Sequence, residues 1–117
     1  LEDGYMSSIQ KSTEELIESV KSGAAYRRYR KCEKALKKYP GLSEKLDKLR
    51  GDIYRLYDGS NSEELLENTE ELQRMYQEMH KIPEVNAYLE AETELILQVR
   101  NIYRRLVGEV GIEPPDM

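Results

Sequence analysis

The sequence predicts an all-α protein, an antiparallel bundle of about five helices with a long C-terminal helix, expected to be dimeric. Three observations carry that expectation. Apolar residues recur every three or four positions along most of the chain, the period of one helix face. No alternating β-branched run offers a strand. Breaks at Ser22-Gly23, Pro40-Gly41, Asp58-Gly59 and Ile82-Pro83 cut the periodic stretches and leave short connections that suit antiparallel neighbours.

The first helix is expected from about Ser8 to Ser22, with Ile9, Leu16, Ile17 and Val20 inside and Glu14, Glu15 and Glu18 outside. The five residues ahead of Met6 read either as an expression remnant or as ordinary chain with Met6 an internal residue, and are set aside. Residues 1–7 and 112–117 are expected to be loose. The second helix covers Ala24–Tyr39, where Ala25, Tyr29, Cys32, Leu36 and Tyr39 step by four and three; Pro40-Gly41 ends it. A third begins near Ser43, with Leu42, Leu46, Leu49, Ile53 and Leu56 on one face. Asp58-Gly59-Ser60-Asn61 reads as a turn. Ser62 then caps a fourth helix closed by His80-Lys81-Ile82, whose inner face is Leu65, Thr69, Leu72, Met75, Tyr76 and Met79.

The fifth helix, residues 83–111, organises the rest. Pro83 suits its first turn and Glu84 its positive dipole end. Val85, Tyr88, Leu89, Leu95, Ile96, Val99, Ile102, Tyr103, Leu106 and Val110 fill heptad positions a, d and e, a stripe wide enough for two neighbours. Glu92 falls inside that stripe, either as a seam-edge residue reaching water or as a buried specificity element with a partner. Val85, Tyr88, Leu89, Glu92, Leu95, Ile96, Val99, Ile102, Tyr103 and Leu106 are therefore expected to form a core or dimer seam. The helix would be about 42 Å long. A compact domain of this size is only about 35 Å across. A single elongated domain, or one sharing this helix with a second copy, follows.

Composition narrows the function classes. The chain is 35% charged and 38% hydrophobic, yet its apolar residues keep helical spacing, so a bundle is favoured over disorder. One cysteine, Cys32, gives no internal disulfide and no metal pair. No apolar run is long enough to span a membrane, and no signal-peptide pattern is read at the start. A cytoplasmic location without membrane contact is expected.

Charge is segregated. Residues 21–55 carry twelve Lys or Arg against four Asp or Glu, whereas residues 60–94 carry two against ten. The basic clusters are Arg27, Arg28, Arg30, Lys31 and Lys34 on the second helix and Arg100, Arg104 and Arg105 on the fifth. Either oppositely charged helices screen each other, or the clusters meet an acidic protein or RNA. An acidic pI of about 5.0 and the lack of a nucleic-acid-binding motif disfavour a dedicated RNA binder.

No phosphate loop, nucleophile elbow or His-Glu-x-x-His pair is present. His80 and Cys32 read as structural residues. No catalytic, cofactor-binding or metal-ligating residue is assigned.

Tyr26–Tyr39, the following Pro-Gly-Leu-Ser-Glu-Lys-Leu, and the run Ile82-Pro83-Glu84-Val85-Asn86-Ala87-Tyr88-Leu89-Glu90-Ala91-Glu92 resemble the YlbF/YmcA family of small bacterial helical proteins, over roughly residues 8–110. That resemblance implies an all-α, usually dimeric, non-enzymatic regulatory adaptor. It implies work with the endoribonuclease RNase Y in mRNA maturation, and roles in competence, sporulation and biofilm development. Some members carry a cysteine-rich tail and an iron–sulfur cluster. This chain has only Cys32, so no cofactor is carried over. The expected partners are a second copy or a paralogue, and a ribonuclease, through Arg27, Arg28, Arg30, Lys31, Lys34, Arg100, Arg104 and Arg105. Direct RNA binding through the second helix is the alternative.

Overall fold

A computed structural model describes residues 2–57 and 69–112; among them are five helices and no strand. They are α1 (Glu2–Ser22), α2 (Ala24–Lys37), α3 (Leu42–Tyr57), α4 (Thr69–His80) and α5 (Pro83–Val110). The expected all-α architecture and its long last helix are present. The turn at Asp58–Asn61, the Ser62 cap and Leu65 lie outside the described residues.

Helix boundaries follow local backbone chemistry. α1 begins at Glu2, ahead of the expected Ser8. Gly23 separates α1 from α2, its N–H donating to Val20 O at 3.0 Å while its own carbonyl accepts from Arg27 N. α2 stops at Lys37, two residues before the expected Tyr39. There the chain tightens into i→i+3 bonds, Lys38 N to Ala35 O and Tyr39 N to Leu36 O, because Pro40 disfavours helix at the residue before it. Tyr39 thus leaves the apolar stripe and is exposed. Gly41, at φ +78°, turns the chain into α3, where its carbonyl accepts from Lys45 N at 2.9 Å. α5 ends at Gly111, φ +88°, whose N–H and that of Ile112 both reach Val107 O.

By internal contacts the chain forms two compact units, Leu1–Lys31 with Ala91–Met117, and Cys32–Glu90. The second unit holds a core built of Leu36 from α2, Leu46 and Leu49 from α3, Leu72 and Met79 from α4, and Val85 and Leu89 from α5. Leu42, Ile53, Met75, Tyr76, Ile82 and Tyr88 pack against it. The four-three rhythm of α3 and, on α4, Leu72, Met75, Tyr76 and Met79 face the core as the sequence pattern expects.

The first unit is different. Ala25, Ala91 and Val107 are buried there, but Ile9, Leu16 and Ile17 of α1 are exposed, against the expectation that they face inward. Val20 alone of that expected face is half-buried. Periodicity reports that a helix has an apolar side; it does not supply the surface that covers it.

Candidate functional site

The expected seam on α5 divides near residue 91. Val85 and Leu89 belong to the core of the second unit, with Tyr88 packed against it. In the first unit Leu95, Ile102 and Tyr103 are half-buried, whereas Ile96, Val99, Leu106 and Val110 are exposed. Glu92, between the two stretches, is half-buried. Sequence reasoning missed Ala91 and Val107, which are buried, and Leu97 and Ile112, which are exposed. Val107 sits off the a, d and e positions, and Ala91 is too small to register in a count of large apolar residues. Leu16, Ile17 and Val20 of α1 and Leu95, Val99 and Ile102 of α5 line an apolar groove of about 280 Å³.

All eight basic residues singled out by the charge pattern are exposed: Arg27, Arg28, Arg30, Lys31 and Lys34 on α2, and Arg100, Arg104 and Arg105 on α5. Their surroundings differ. Arg28 pairs with Glu94, which ties α2 to α5 within the first unit. Arg105 Nε lies 3.6 Å from Glu109 Oε2, one turn on along α5. Among the described residues Arg27, Lys31, Lys34, Arg100 and Arg104 make no ion pair. Arg55–Asp52, Arg74–Glu71 and Arg74–Glu78 each stay within one helix. Among the described residues no ion pair joins Arg27, Lys31 or Lys34 to α4.

At the α4–α5 junction His80 stacks edge-on against Tyr76, with ring centroids 4.7 Å apart. Its Nδ1 lies 3.4 Å from Asn86 Oδ1, and Asn86 Nδ2 donates to Glu90 Oε1 at 3.2 Å. These contacts fix the corner and leave His80 half-buried. Tyr39 donates to Glu84 Oε1 at 3.1 Å; this bond and the carboxylate's charge hold the phenol above its usual pKa. Cys32 is half-buried on α2. No group of three or more His, Cys, Asp or Glu among the described residues could hold a metal ion. No helix among them is long and apolar enough to cross a membrane.

No curated protein and no solved structure matches the chain. A family model does: residues 9–107 match the family described as control of competence regulator ComK, YlbF/YmcA. The match spans all five helices, including the Pro-Glu-Val run of α5 and the basic α2. The chain belongs to the YlbF/YmcA family of regulatory proteins.

Proposed function

We propose that the chain is a non-enzymatic, dimeric, cytoplasmic adaptor that binds a protein partner in bacterial RNA processing or developmental control. The resemblance to YlbF/YmcA proteins supports a ribonuclease such as RNase Y as that partner. One observation carries the binding reading: Arg27, Lys31 and Lys34 share one side of α2 and stand exposed, with no ion pair among the described residues. Such a stripe suits an acidic protein surface, where complementary charge sets orientation and speeds encounter. Exposed Arg28 and Arg30 extend it.

The test is recovery of partners by tagged chain at native levels in its host. The unaltered chain should bring down a ribonuclease or a paralogue, and Arg27→Glu/Lys31→Glu/Lys34→Glu should lose it while keeping its helix content. Recovery of neither by the unaltered chain rejects the reading. Tight RNA binding by the purified chain, falling steeply with salt, would replace the protein partner by RNA.

A further inference from the structure

Within the second unit, α3 and α4 leave between them an apolar groove of about 560 Å³. Ile53 and Leu56 of α3 and Leu72 and Tyr76 of α4 form its floor. Leu72 is buried there and the other three are half-buried. Pockets that hold small molecules span about 300–1,000 Å³, are lined mainly by apolar side chains and carry a few polar groups that fix orientation. Arg50 of α3 and Gln73 and Gln77 of α4 supply such groups here. Arg50 is half-buried, and it is the only charged residue among the described residues that line the groove. From Arg50 to Leu56 the α3 wall runs about 9 Å along the helix axis.

We propose that this groove binds a small amphipathic monoanion, a medium-chain carboxylate whose tail lies along the floor and whose headgroup meets Arg50. The lining selects that chemistry. A floor of Ile53, Leu56, Leu72 and Tyr76 rewards an acyl tail with each methylene it takes from water, and offers a sugar or a polyphosphate little to bond. One cation matches one negative charge. No carboxylate among the described lining residues would hold an amine. The guanidinium has five N–H donors in a planar fork, so Arg50 can keep another contact and still receive a carboxylate. Its half-buried place beside apolar side chains strengthens that bond relative to one in open water. Gln73 and Gln77, exposed and one turn apart on α4, border the groove with amides that add no charge.

Titration calorimetry of the full chain with decanoate, kept below the concentration at which it forms micelles, tests this. The unaltered chain should bind one decanoate saturably, and octanoate, two methylenes shorter, about tenfold more weakly. Arg50→Gln should weaken decanoate about tenfold and leave the uncharged decanol unchanged. Gln73→Trp, at an exposed position on the border, should obstruct the groove and lose both ligands, with helix content by circular dichroism held at that of the unaltered chain. Absence of saturable binding to the unaltered chain overturns the proposal. So does decanoate binding of unaltered strength in both variants, which would move the ligand to another surface. Equal weakening of decanoate and decanol by Arg50→Gln overturns the headgroup contact.

Discussion

Leu46 and Leu16 both sit on apolar stripes of amphipathic helices, yet Leu46 is 1% exposed and Leu16 is open to solvent. Leu46→Ala should cost about 2–5 kcal/mol, as truncation of a packed leucine does, whereas Leu16→Ala should cost well under 1 kcal/mol in dilute solution. Urea unfolding of the two variants compares them. Tyr39 gives a pH signature. Its phenol is held protonated by the bond to Glu84, so the folded state binds this proton more tightly than the unfolded chain. The contribution is complete below the unfolded pKa of about 10 and is lost as pH rises through the raised folded value. The stability gap between the protein and Tyr39→Phe should therefore stay constant from pH 7 to 9 and change above it. Glu84→Gln should return the phenol toward its ordinary titration, read by tyrosinate absorbance.

Glycines separate the helices that end by turning from those that merely tolerate a flexible residue. Gly41 has φ +78°, so Gly41→Ala strains the entry to α3 and should destabilise by about 1 kcal/mol. Gly51 lies inside α3, where an added Cβ would meet Arg55 Nη1 at an ordinary 3.6 Å. Gly51→Ala should stabilise by up to about 1 kcal/mol, and thermal melts of the pair should move in opposite directions. At this scale much was legible before the structure. Pro40, Gly23, Gly111 and Pro83 mark their breaks by backbone chemistry that needs no tertiary context. α2 lost two residues because the final turn responds to Pro40 through local i→i+3 bonds, which periodicity does not see. The α3 stripe was readable because its partners, Leu72, Met79, Val85 and Leu89, lie in the same chain. The stripe of α1 looked identical in sequence and was misread as buried, because spacing carries no information on what covers a face. The basic candidates were legible as exposed, since long cations seldom bury, but the engagement of Arg28 by Glu94 depends on two helices meeting and had no sequence signal.

For the whole chain, a net charge of −5 conceals a basic stretch and an acidic one. The exposure of α1 has a further consequence for local opening. A segment with no buried side chain from residue 7 to residue 19 opens at little cost, independently of the core around Leu46 and Val85. In dilute solution the amide hydrogens of residues 9–17 should exchange with deuterium orders of magnitude faster than those of α3. The ratio of exchange rates in α1 and α3 then reads, residue by residue, how far the first helix opens while the core stays closed.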